Sequence, residues 1–407
     1  VWKRPAGKLT VRKFLSEPPE SDLIMLLNIK NKSTNCYDKK TFISLLYVLM
    51  CTVCFGQEFV HPGMLHTTSD LEFMKAKILA GEEPWKEAWN QLKDSEIASL
   101  RYKPTPFKVV DNGPYNQPDN GGKEFVRDGA AAYTMALQWY VEGDKAYAEK
   151  AIEIFNAWAN TLESVVNHNR QLKVGTAGIK YLNAAEIIKY TYKGWSDKDR
   201  KAFEDMVINI WYPVITDWTP RYNGNWDAAN GQTIMCIGIF LDRRDIFDKA
   251  CKQLTDGDSN GSIKNYFYEN GQCQESGRDQ QHVQMGLAFL ACAAEIAWNQ
   301  KIDLYGAFDN RLYKGFEYTA KYMSGEDVPH IQYITWFGKP VYGPEISPKQ
   351  REKICPAWER AYHHYHDRKG MDMPYTYKMI QKSRPEGTVN QSFMPWASLT
   401  SADFPVQ

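Results

Sequence analysis

The chain has little cysteine chemistry to offer and no net charge. Of its eight Cys, three (Cys36, Cys51, Cys54) precede residue 57, and the other five (Cys236, Cys251, Cys273, Cys292, Cys355) are odd in number and widely spaced. Those five contain no CxxC pair, which argues against a zinc site or a disulfide framework and for buried free thiols. Lys plus Arg total 49, as do Asp plus Glu, so no global field steers a polyanion to the surface. No basic stripe with interleaved glycines or aromatics is present either, and nucleic acid is not an expected partner. Also missing are a GxGxxG after a strand, a P-loop, an HExxH and a GxSxG elbow. Dinucleotide, nucleotide triphosphate, zincin and serine-hydrolase chemistry therefore have no sequence support.

Long apolar runs are scarce. The most apolar stretch, Thr41 to Phe55 (TFISLLYVLMCTVCF), follows Lys39-Lys40 and precedes Gly56-Gln57. It is short for a membrane span and has the layout of a signal peptide: charged region, apolar region, small residue before the cut. The expectation is an upstream extension plus signal peptide over 1–56, a single domain over 57–407, and a periplasmic or secreted protein with no membrane attachment after cleavage. An uncleaved anchor is the alternative. What the sequence has in excess is aromatic side chains, 14% of residues with 13 Trp and 24 Tyr. Most belong in a core, but flat rings with a polar tip also suit sugar clefts.

Beyond residue 57 apolar residues recur at helical spacing. Residues 125–141 read as one helix, Gly143-Asp144 breaks it, and 145–161 as a second. The same unit recurs as 177–191 with 197–211, where Ser196 is a credible N-cap. Residues 226–241 pair with 243–255 and 276–299 with 303–323. Residues 69–80 with 84–95, and 350–369 with 371–383, complete the set. Residues 331–342 (IQYITWFGKPVY) are the best extended candidate. Six or seven helical hairpins without a fixed repeat predict an all-α fold, an (α/α) toroid whose inner helices are buried all round.

Four stretches could carry chemistry. In 269–287 (ENGQCQESGRDQQHVQMGL), a helix entered near Glu275 would place Glu275, Arg278 and His282 on one face. Gly277 there suggests a close backbone approach, and Gln281 adds a polar group. In 221–232 (RYNGNWDAANGQ), Asn223, Asn225 and Asn230 surround Trp226 beside Tyr222. One Asn is explained as a helix cap, three are not. The turn-rich stretch 111–129 offers Tyr115, Asn116 and Lys123 as a rim loop. The stretch 167–175 brings His168, Arg170 and Lys173 together. The His-rich AYHHYHD at 361–367 reads as a helix with Tyr362, Tyr365 and His366 inward rather than as a metal site.

With these stretches in hand, the chain resembles the alginate lyase superfamily of polysaccharide lyases over most of 57–390. The likeness rests on FVHPGMLHT, on the AAAYTMALQWYVEGDKAYAEKAIEIFNAWANTL helix pair, and on NAAEIIKYT. It continues through NGNW, ExxRxxxH and PAWERAYHHYHDRKGM. The order of these motifs is more telling than any one of them. The resemblance implies a toroid, an exported location, no cofactor or metal, and cleavage of alginate-like or glucuronan-like chains by β-elimination. In such a reaction Asn, His or Arg donors neutralise the uronate carboxylate, a His or Tyr removes the neighbouring proton, and a Tyr protonates the leaving oxygen.

The chain departs from the family pattern in two places. An Asn-His pair is usual where NGNW stands, and a Tyr on the later helix. Here Asn225 or Asn223 remains without the His, and aligning Arg278 puts His282 where the Tyr belongs, or Met285 in another register. The resemblance then implies His282 as base or neutraliser, Arg278 and Asn225 as carboxylate donors, and Tyr222, or failing that Tyr115, as proton donor. Asn223, Trp226, Tyr115, Asn116, His168 and Gln281 become substrate contacts, and the protein is expected to be a monomer. The alternatives are a glycoside hydrolase using Glu275, Asp279 or Asp227, and a non-catalytic glycan binder.

Overall fold

The computed structural model describes residues 58–216, 223–387 and 392–403. The expected leader at 39–56 and Tyr222 lie outside them. The described chain is mostly helical, and its elements begin and end where local chemistry dictates. Helix α1 (Thr68–Ala80) opens on a capping box in which Thr67 and Asp70 each satisfy the other's backbone N–H. After α2 (Trp85–Asp94), the long α3 (Gly122–Glu142) ends at Gly143, whose φ of 72° closes the last turn onto the Trp139 carbonyl. Asp144 then caps α4 (Lys145–Ala159). Helix α5 (Arg170–Thr191) leads to α6 (Asp197–Met206), which starts with Ser196 accepting from the Asp199 N–H at 3.1 Å. A π-helical turn and short α7 (Tyr212–Ile215) end that arm.

Next come α8 (Gly224–Phe240), α9 (Arg244–Asp256) and the short α10 (Ile263–Tyr266). They are followed by α11 (Gln280–Asn299) and α12 (Ala307–Met323), then by α13 (Glu359–Tyr362), α14 (Pro374–Ser383) and α15 (Ala397–Ser401). Helices α3, α5, α8 and α11 pack side by side as the inner wall, with α4, α9 and α12 behind them. Every residue of α8 is buried, as an inner helix of a toroid requires. The gap between α11 and α3 is closed by α13, α15 and α1, so the ring is an incomplete (α/α) toroid. Arg384 secures that closure: its guanidinium grips Glu359 at 2.6 and 3.0 Å and Asp403 at 3.1 Å.

Three expectations need correction. The stretch 350–369 is not one helix; Pro356 denies it a backbone donor and breaks it, leaving α13 and a π-helical turn, His363–Arg368. That winding turns His363 and His364 into the core and His366 outward. Strands were also under-read: β1 (Val109–Asn112) pairs antiparallel with β2 (Asp119–Asn120) and parallel with β3 (Ser164–Val166), elements too short to show alternation. The extended reading of 331–342 holds as the hairpin β4 (Tyr333–Ile334) and β5 (Pro340–Val341). Among the described residues no helix is long and apolar enough to cross a membrane.

Candidate active site

The start of α8 gathers several polar side chains at one helix end. Asn223 occupies the N-cap position, but its side chain makes no cap hydrogen bond; its amide oxygen accepts from the Tyr342 hydroxyl instead. The Gly224 N–H is taken by Gln274 Oε1 at 2.6 Å. Only glycine fits there, since a Cβ would fall 2.3 Å from the Tyr266 ring and 2.4 Å from the Asn260 carbonyl. Asn225 is fully buried, yet neither its amide nitrogen nor its oxygen has a hydrogen-bond partner. An unpaired buried amide costs about 1–3 kcal/mol per group, so Asn225 keeps hydrogen-bonding capacity that the protein's own groups do not use. Trp226 meets the His168 ring edge to face at 5.4 Å.

The second wall comes from the turn Gln274–Gly277 and the first turn of α11. Glu275 is buried, accepting from the Tyr266 hydroxyl at 2.5 Å and from Arg278 Nη1 at 3.1 Å. Burial pushes its carboxyl up, against the pull of His282, Arg278 and the Tyr266 hydroxyl. Glu275, Arg278 and His282 are not on one helical face, as the spacing suggested. Helix α11 begins at Gln280, because Asp279 caps it by accepting from the His282 N–H at 2.9 Å. The same carboxylate holds His282 Nδ1 at 2.7 Å. Burial works against ionising Asp279, but these hydrogen bonds win and keep its carboxyl below the usual range. With Nδ1 so engaged, a neutral His282 carries its lone pair on Nε2.

Tyr342 joins the two walls. It follows β5 directly, and its φ of 57° is strained for a residue with a side chain. The hydroxyl reaches Asn223, and it is close enough to the Arg278 guanidinium to feel its charge. Burial raises its pKa and Glu275 adds to that, while Arg278 pulls the other way. The close approach forecast at Gly277 is real: an added Cβ would stand 3.2 Å from Tyr342 Cβ and 3.2 Å from the Gly343 carbonyl.

The structure thus links the start of α8 to the turn before α11, through Tyr342, which reaches Asn223 and feels Arg278, and through Gln274 on Gly224; Asn225 and Trp226 follow Asn223 on α8, and His282 lies in the first turn of α11. Tyr115 and Asn116 stand at the rim in a left-handed turn, with Tyr115 96% exposed. Their turn is tied to the His168 segment by Asn169, which donates to the Gly113 carbonyl at 2.6 Å. Gln281 turns away: its carbonyl accepts from Lys353 and Gln350, both at 2.8 Å. Sequence reading missed Tyr342, for which the one available signal was the aromatic end of the extended run. Among the described residues no group of three or more His, Cys, Asp and Glu could hold a metal ion. A hydrolytic carboxylate pair is not poised either, since Tyr266 and Arg278 hold Glu275 while His282 holds Asp279.

An unpaired amide, a guanidinium, an imidazole and a phenol, all near the starts of α8 and α11, are groups that suit the neutralisation of an acid group and the transfer of a proton. Comparison with known proteins identifies the fold and the family. A crystal structure of an alginate lyase from Bacteroides ovatus aligns with a TM-score of 0.58 at 14% identity, covering 84% of this chain and 100% of that one. The alginate lyase A1-III of Sphingomonas species A1 aligns with a TM-score of 0.58 at 13% identity, over 82% and 94%. A Tyr-to-Phe variant of that enzyme, complexed with a tetrasaccharide, gives 0.59 at 14% identity over the same shares, 82% and 94%. These likenesses establish the toroid. No curated protein sequence matches. The family model described as alginate lyase matches residues 72–328, more than half of the chain. The chain belongs to the alginate lyase family, and it is a polysaccharide lyase.

Proposed function

We propose that the enzyme cleaves alginate and related polyuronates by β-elimination at the cleft between the start of α8 and the start of α11. The observation that carries this reading is Asn225, a buried amide with no partner, two residues after Asn223, which Tyr342 ties to the side of the site that holds Arg278 and His282. A uronate carboxylate placed on Asn225 and Arg278 has its charge quenched, which acidifies the proton on carbon 5. His282 Nε2 takes that proton, the electron pair forms the bond between carbons 4 and 5, and the bond from carbon 4 to the glycosidic oxygen breaks. Tyr342 gives its hydroxyl proton to the departing oxygen and recovers one from water. Tyr342 is preferred to Tyr115 because its hydroxyl already sits among these groups, whereas Tyr115 projects from the rim. Trp226, His168, Tyr115 and Asn116 serve as substrate contacts along the groove.

A polymeric substrate suits an exported enzyme, in keeping with the signal-like run at 41–55. The test is incubation with alginate, polymannuronate, polyguluronate and glucuronan while ultraviolet absorbance is followed. A rise from unsaturated uronate ends on at least one polymer is expected, and the preferred polymer identifies the uronate. Reducing ends without absorbance would mean hydrolysis, and neither signal would mean a binder.

A further inference from the structure

Exposed apolar side chains concentrate on the segment that ends in Tyr342. Ile331 is 63% exposed, Ile334 44%, and Trp336 and Phe337 39% each. Such residues scattered singly need no explanation; four on one short arm do. The arm is not loose. Its root is Tyr333, buried and stacked on Tyr268 at 4.9 Å, with the Ile334 N–H donating to the Tyr268 hydroxyl at 2.8 Å. Its tip is locked by the Thr335 N–H donating to the Lys339 carbonyl at 2.8 Å, the Lys339 N–H to Thr335 Oγ1 at 3.0 Å, and the Gly338 N–H to the Thr335 carbonyl at 2.8 Å. Gly338, at φ 83°, is what permits that turn. Trp336 and Phe337 meet edge to face at 5.6 Å and 82°, so they are not stacked on each other and each keeps a face turned away from the contact. Lys339 Nζ stands 5.9 Å from the Phe337 ring centre.

We propose that this arm is a distal subsite for the acidic polysaccharide: Trp336 and Phe337 stack on the apolar faces of sugar rings, and Lys339 meets a ring carboxylate. The occupant follows from continuity and charge. Phe337 lies five residues from Tyr342, at most about 17 Å of extended chain, so the arm is within reach of a polymer held in the cleft. Gln332 Nε2 donates to the Tyr342 carbonyl at 2.8 Å, which couples the arm to the site. A purely apolar partner would leave Lys339 unanswered; a polyuronate satisfies both the rings and the ammonium. This inference rests on the reading of the cleft as a polyuronate site.

The test compares wild type with Trp336→Ala/Phe337→Ala, both exposed positions, on long polymannuronate and on short oligouronates. The expected result is a KM on polymer raised about tenfold, with kcat held and short-oligomer kinetics unchanged. An unchanged polymer KM, an equal loss on short oligomers, or a loss of self-association with intact polymer kinetics would each overturn it. Should wild type release no unsaturated ends, the reading of the cleft fails by itself. Mobility in polymannuronate-containing gels then decides the arm: retardation of wild type but not of the double variant supports it, and equal mobility rejects it.

Discussion

Asn225 makes a prediction in which stability and activity part company. Its two amide groups are buried without partners, at an expense of about 1–3 kcal/mol for each unpaired group. Asn225→Ala removes that penalty and leaves a small void, so the two effects roughly cancel. The melting temperature should stay within about 3 °C of wild type, or rise. Asn183 is the control, a buried Asn whose amide accepts from the Leu65 N–H at 3.0 Å and donates to the Ile179 carbonyl at 2.8 Å. Asn183→Ala strands the Leu65 N–H and should lower stability by about 2–3 kcal/mol. In turnover, loss of one preorganised donor to a developing charge typically costs about 10²–10³ in kcat, or some 3–4 kcal/mol. Thermal melts of both variants, with steady-state absorbance assays on the best polymer, give the comparison. The reasoning is refuted if Asn225→Ala keeps kcat within about threefold, or melts as early as Asn183→Ala.

Tyr342→Phe should lower kcat by about 10²–10⁴ while changing KM little, measurable in the same assay. Arg384→Met leaves Glu359 buried without its partner and should cost about 3–5 kcal/mol in urea unfolding, with the folded variant still able to bind polymer. Burial lowers His66 and His364 to about 3, with Arg360 and Arg368 respectively adding to it and Glu295 pulling the other way. The unfolded chain takes up protons on these rings below about 6.5 and the folded chain does not, so stability declines as pH falls from 6.5 towards 3. The decline is on the order of 1.4 kcal/mol per pH unit per ring as an upper bound. His364→Phe, which keeps the stack on Tyr305 at 3.7 Å, should flatten the slope of melting temperature against pH; an unchanged slope counts against the assignment.

The helical hairpins were legible because their boundaries are local: Gly143 and Asp144, or Ser196, stop and start helices through groups a few residues away. The start of α11 was misplaced because the capping role of Asp279 shows only in where its carboxylate points. Tyr342 could not be linked to the site by periodicity, since Asn223 lies 119 residues from it in sequence. The stretch 350–369 was over-read as helix, although Pro356 was in plain view. Asn225 was singled out from its neighbours in NGNW, but its lack of partners is a property of the packed chain alone.

Three of the groups around the cleft are mounted on the inner helical wall or its caps, whereas Tyr342 hangs from a ladder of two residue pairs. Warming should therefore disable proton delivery before the ring of helices melts. Catalytic half-life and ellipticity would then follow separate temperature curves, with whatever strengthens the Tyr268–Tyr333 stack extending the first and sparing the second.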